Sequence, residues 1–194
     1  MSVTAPAGFR AAGVRAGLKA SGRPDLALVV NDGPLDVAAG VFTANRVVAA
    51  PVVWSRAAVA DGGARAVILN SGSANACTGA RGADDAAATA GRVAELLTAA
   101  DPQRPVRPDD VLVCSTGVIG EPLDMPALLA GASQAAGALA PTPGAGRDAA
   151  LAIMTTDTVP KEDAVSRTST GAAWTVGGMI KGVGMLAPGL ATML

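Results

Sequence analysis

The chain contains no histidine and no tyrosine, and aromatics make up only 2% of its 194 residues. Without histidine, neither a Ser-His nor a Cys-His arrangement can be built within it, and no histidine-ligated metal site is available. Any base for acyl or proton transfer must therefore be a carboxylate, a lysine, a free amine, or a group from another chain. The scarcity of aromatics removes the stacking platforms on which single-stranded nucleic acids are held. Lys and Arg number 15 against 16 Asp and Glu, interspersed without a basic cluster, which leaves no footprint for nucleic acid or an anionic membrane. No apolar run approaches the ~18 residues needed to span a bilayer, and the opening Met1-Ser-Val-Thr-Ala-Pro6 lacks a secretory pattern, so a cytoplasmic location is expected. The two cysteines, Cys77 and Cys114, match no metal spacing and are expected to be small buried hydrophobes.

What is present is a chain that is 50% hydrophobic, built on Ala, Val, Leu, Ile and Met, and long enough to enclose a sizeable core. Strands are predicted at Leu26–Val30, Val37–Thr43, Pro51–Trp54 and Ala64–Asn70, making the first third mostly sheet. Helical spacing follows over Asp84–Ala100. Val111–Cys114 then reads as a strand. A second helix is signalled by Asp124 as cap, Pro126 in its first turn and an apolar face through Leu139, with Pro141–Gly144 closing it. A short helix over Arg147–Met154 and two strands, Ala164–Ser169 and Trp174–Ile180, complete the pattern. Irregular alternation of strands and helices favours an α+β layered domain over a doubly wound sheet, with no internal boundary.

The chemistry-bearing residues gather at strand ends and near the end of the sequence. Asn70-Ser-Gly-Ser-Ala-Asn-Ala-Cys-Thr-Gly79 is either a loop of binding groups or an ordinary turn using Asn and Ser for local backbone bonds. Thr116-Gly117, at the end of a strand, is either a turn or a hydroxyl and a backbone N–H aimed at a developing oxyanion. Lys181, between apolar residues and glycines, is either solvated or the partner of a substrate carboxylate. Gly182-Val-Gly-Met-Leu-Ala187 fits the G-x-G-x-x-A dinucleotide pattern only formally, because Pro188 and Gly189 follow where a helix should run. In a chain without histidine, a threonine can be activated by its own α-amino group once it becomes N-terminal. That amine has a pKa of roughly 7.7–8.0, against roughly 10.4 for a lysine. Ala191-Thr192 places a small residue before such a threonine.

Four stretches together resemble the ornithine acetyltransferases, the bifunctional glutamate N-acetyltransferases of arginine biosynthesis. They are Asn70–Gly79, Ser115-Thr-Gly-Val-Ile-Gly120, Ile153-Met-Thr-Thr-Asp-Thr-Val-Pro-Lys161 and Lys181-Gly-Val-Gly-Met-Leu-Ala-Pro-Gly-Leu-Ala-Thr-Met-Leu194. The resemblance implies an α/β sandwich of central mixed sheets flanked by helices. It also implies a precursor that cleaves itself between Ala191 and Thr192 into α and β chains, assembled as an α2β2 heterotetramer. Thr192 would be the nucleophile, carrying acetyl from N-acetylornithine to glutamate. Thr116 and Gly117 would form the oxyanion hole, and Thr155, Lys181 and Thr192 would bind substrate. No metal or cofactor is implied; acetyl-CoA enters as an alternative donor.

Precursors of that family are about twice this long, so the chain is expected to be one domain over residues 1–194, comprising the α half and the first three β residues, without the β half. On its own it is expected to be inactive. The competing readings are a self-cleaving amidohydrolase or aminopeptidase of related fold, and a non-catalytic scaffold.

Overall fold

The computed structural model describes residues 2–169 and 171–183. Its centre is a four-stranded sheet in the order β1-β2-β3-β4. The strands are β1 (Phe9–Val14), β2 (Leu26–Asn31), β3 (Ala66–Ser73) and β4 (Val111–Val118). β1 and β2 pair antiparallel, as do β2 and β3, whereas β3 and β4 run parallel. A parallel pair needs a long crossover, here provided by the 22-residue helix α2 (Gly79–Ala100).

Side chains alternate between the faces of a strand, and this sheet is apolar on both. Leu26, Leu28 and Val30 of β2, Ile68 of β3, and Val111 and Val113 of β4 pack with Val93 and Leu97 of α2 and with Leu128 and Ala132 of α3 (Met125–Gly137). On the opposite face Ala11, Ala27 and Leu69 meet Ala149, Ala152 and Ile153 around α4 (Pro143–Ala152). Small residues bring α4 very close: a Cβ on Gly13 of β1 would lie 2.0 Å from the Asp148 carbonyl oxygen. The resulting helix–sheet–helix layering is the expected α+β sandwich, with its sheet mixed. A second, two-stranded sheet consists of β5 (Lys161–Ser169) and β6 (Ala172–Ile180), an antiparallel hairpin paired Lys161↔Ile180.

Three sequence expectations are corrected. Pro51–Trp54 is not a strand but lies in helix α1 (Ala50–Ala58), with proline in the first turn, where its missing N–H costs nothing. This helix covers the edge of β4: Ser55 Oγ donates to the Val113 carbonyl at 2.7 Å and accepts from the Val113 N–H at 2.9 Å. Trp54 Nε1 donates to the Val111 carbonyl at 2.9 Å. Val37–Thr43 forms no strand; Val37 makes a single bridge to Gly63, and Leu35, Val37 and Val41 are exposed. Pro141–Gly144 does not close α3 but opens α4, with Thr142 Oγ1 accepting from the Ala145 N–H at 3.2 Å. Strand β1, which no periodicity signal marked, completes the sheet. The remaining elements lie where expected, several of them longer.

Candidate active site

Parallel pairing of β3 and β4 sets Ser71 opposite Thr116 and Gly72 opposite Gly117. Both glycines have positive φ, +124° and +136°, and a Cβ on Gly117 would lie 2.4 Å from the Gly72 carbonyl carbon and oxygen. Only glycine allows this turn and this approach. Behind Gly72 stands the Leu18 carbonyl oxygen, 2.6 Å from where a Cβ would be. That loop is held by the buried carboxylate of Asp25, which accepts from the backbone N–H groups of Ala16, Gly17, Leu18 and Lys19 at 2.6–3.1 Å.

Thr116 is buried and Gly117 exposed at the end of β4. The loop after β3 spends its polar groups on its own shape. Asn70 donates to the Ser73 carbonyl and accepts from Ser115 Oγ, while Asn75 accepts from Thr78 Oγ1 and donates to the Gly82 carbonyl. Asn75 and Cys77 adopt φ of +46° and +60°. Of the two readings of Asn70–Gly79, these bonds follow the turn-forming one. Cys77 is exposed here, against expectation, because the left-handed turn carries it outside the packed layers. Cys114 faces the interior, where burial pushes its thiol up to about 11.

The hairpin then delivers Lys181. Its ammonium donates to Thr155 Oγ1 at 2.6 Å and to Thr116 Oγ1 at 3.4 Å. Residues 26 and 65 positions apart in sequence are thereby joined through one cation. A hydroxyl that accepts such a bond keeps its own O–H to donate, so Thr116 and Thr155 can both turn a proton toward an anionic oxygen. Beside them is a second amine. Lys19 Nζ donates to the carbonyls of Pro24, Ala152 and Met154 at 2.8, 3.4 and 2.6 Å. Burial, with added repulsion from Arg23 and Lys181, outweighs the attraction of Asp25 and Asp157 and lowers it to about 8.

Sequence reasoning assigned no role to Lys19 or to Asp157, although Asp157 stands within one of the four family-like stretches. Asp157 Oδ1 accepts from Lys161 Nζ at 2.9 Å and from the Gly182 N–H at 2.5 Å, and Oδ2 accepts from the Thr155 N–H at 3.1 Å. Burial raises its pKa, but these donors outweigh that effect and hold the carboxyl well below the usual carboxylate range. The signal available in sequence was an Asp two residues after Thr155 and four before a lysine, too common a spacing to single out. Ala191 and Thr192 lie outside the described residues.

The ArgJ family model matches residues 10–194. A curated relative from Bifidobacterium longum, the arginine biosynthesis bifunctional protein ArgJ, is 59% identical over all of this chain. The chain belongs to the ArgJ family. The same-named protein of Mycolicibacterium paratuberculosis is 58% identical over 99% of the chain. The chain spans about half the length of these curated relatives, 47% and 46% respectively. Among solved structures, that of ornithine acetyltransferase complexed with ornithine from Mycobacterium tuberculosis superposes with a TM-score of 0.91 at 55% identity, covering 96% of this chain and 94% of that one. The arginine biosynthesis bifunctional protein argJ from Bacillus halodurans gives 0.88 at 39% identity, covering 97% and 93%. The likeness thus extends over nearly the whole of the solved chains, although it spans only half of the curated proteins. Among the described residues no helix is long and apolar enough to cross a membrane.

Proposed function

We propose that this chain is the N-terminal half of a self-cleaving acetyltransferase that moves acetyl from N-acetylornithine to glutamate. The observation that carries the reading is Lys181 bridging Thr155 and Thr116, a cation and two hydroxyls converging beside Gly117 at the end of β4. In this reading the Thr192 hydroxyl first attacks the Ala191 carbonyl carbon. The peptide C–N bond breaks, which frees the Thr192 amine and leaves an ester, and water then hydrolyses that ester to a carboxylate on Ala191 and the restored hydroxyl of Thr192. That amine then takes the proton of its own hydroxyl as the oxygen attacks the acetyl carbonyl.

The negative charge that develops on the carbonyl oxygen is met by Thr116 and Gly117, groups fixed before the reaction begins. Losing one such donor typically costs about a hundred- to a thousand-fold in rate. Collapse of the intermediate expels the ornithine amine, which leaves with the proton, and acetyl remains as an ester on Thr192. The glutamate amine attacks that ester, breaks the C–O bond and restores the hydroxyl. Thr155 and Lys181 hold the amino-acid substrates, with the Lys181 charge suited to a carboxylate.

The substrate class is supported by the Mycobacterium tuberculosis relative, an ornithine acetyltransferase at 55% identity whose solved structure is a complex with ornithine. The reading needs no metal or cofactor, allows acetyl-CoA as an alternative donor, and places the protein in the cytoplasm as an α2β2 assembly of two kinds of chain from one precursor. The difference in coverage, half of the curated proteins but nearly all of the solved chains, supports that division.

The test is acetyl transfer from N-acetylornithine to glutamate by the protein carrying both halves, with Thr192→Ala alongside. The wild type is expected to cleave and to transfer, and the variant to do neither. Peptide hydrolysis without transfer would establish the amidohydrolase reading instead, and a Thr192→Ala protein that still transfers acetyl would sink the threonine mechanism.

A further inference from the structure

We infer that Asp157 is the positioning residue that sets Lys181 and Thr155 in the geometry acetyl transfer needs, an inference that rests on the function proposed above. Three donors meet at this one carboxylate: two close in sequence, the Thr155 N–H in the turn after α4 and Lys161 Nζ at the start of β5, and one distant, the Gly182 N–H in the segment after β6. Asp157 touches neither the Thr155 hydroxyl nor the Lys181 ammonium. It holds the backbone of Thr155 and that of the residue next to Lys181.

Because Oδ2 serves Thr155 and Oδ1 serves Gly182, the distance between those two backbone points is tied to the rigid width of a carboxylate. The side chains they carry then meet at 2.6 Å. Only 1% of the Asp157 side chain is exposed, whereas 35% of Lys161 is. The buried member therefore does the holding, and the exposed lysine neutralises it. A neutral amide cannot replace it, since one of its two polar atoms is a donor and would face an N–H. The turn and the hairpin end would then be held on one side only.

The decisive experiment measures kcat/KM for acetyl transfer in the protein with both halves, for wild type, Asp157→Asn, Lys181→Met and the double variant, with thermal midpoints as a check on folding. Asp157→Asn is expected to lose about 10- to 100-fold, the scale on which a misplacement near 1 Å acts. On the Lys181→Met background it is expected to add much less than that, because one of the two groups it positions, and the contact between them, are already gone. A general structural defect would instead multiply the two losses, and that result, or an unchanged Asp157→Asn, overturns the inference.

Should Asp157→Asn fail to fold, Lys161→Met provides the same cycle. It leaves the buried carboxylate without its neutralising cation, so that its hold on the two N–H groups loosens, and is expected to lose about threefold to tenfold, less where Lys181 is absent; unchanged kinetics overturn the inference. If the wild type itself transfers no acetyl, the proposed function has failed. The positioning role is then read from a crystal structure of Asp157→Asn: Lys181 displaced from Thr155 sustains it, and an unchanged contact ends it.

Discussion

At the scale of single residues, the site is governed by how buried charges are satisfied. Asp157 and Asp25 are both buried carboxylates that collect backbone N–H groups: Asp157 ties the turn at Thr155 to Gly182, and Asp25 holds the single loop at 16–19. Lys19 does the converse, drawing the Pro24, Ala152 and Met154 carbonyls together just before Thr155. Its lowered pKa has a consequence for stability. From about pH 8 to its ordinary 10.5, the unfolded chain still holds a proton that the folded chain has released, so the Lys19 contribution to stability rises with pH across that window. The gap in thermal midpoint between wild type and Lys19→Met should shift in favour of wild type between pH 7.5 and pH 10. A gap that moves the other way would show that the amine is held as a cation.

At the scale of elements, the tip of the β3–β4 pair is the most demanding piece of backbone. Gly72 and Gly117 lie side by side with positive φ, and Leu18 closes over Gly72. A methyl group at Gly72 meets the Leu18 carbonyl and must push either that loop outward or Gly117 toward the site. Gly72→Ala is therefore expected to lower stability by about 1–3 kcal/mol, through overpacking and backbone strain together. It should also lower kcat for acetyl transfer in the two-half protein, since Gly117 moves with it. Chemical denaturation and steady-state kinetics on the same sample test both halves of this expectation, and a variant with unchanged kcat would remove Gly72 from any part in the site.

The elements themselves were unequally legible. Leu26–Val30, Asp84–Ala100 and the Asp124 cap were clear, because an unbroken apolar run, helical spacing and a capping side chain are local signals; Asp124 does accept from the Ala127 N–H at 3.1 Å. Pro51–Trp54 misled because its apolar run is used to cover a strand edge, a use that periodicity does not encode.

At the scale of the whole molecule, the hairpin β5–β6 stands out. Val165, Trp174, Val176 and Ile180 are all exposed on it, and it makes few contacts with the central layers beyond its ends, although it delivers Lys181. Two-stranded hairpins are marginal alone, and a position that matters to within an ångström is poorly defined by one. The isolated 194-residue chain is accordingly expected to give no measurable acetyl transfer. Adding the remaining half in trans, or expressing both together, should restore it, as read by acetylglutamate formation. Robust turnover by the isolated chain would show that one half suffices.

The sequence alone narrowed the class of chemistry. Lacking histidine, the chain admits only bases of other kinds, and four ordered motifs carry the resemblance to one acetyltransferase family. It marked most of the strands and helices as well, since apolar runs and helical spacing are local properties of the chain. What only the tertiary structure decided is which of the marked residues meet. Thr116, Thr155 and Lys181 are brought together by parallel strand pairing and by a hairpin closing on a turn. Such contacts depend on long-range register rather than on spacing, so neither the Lys181 bridge nor the carboxylate of Asp157 beneath it could be read before the chain was folded.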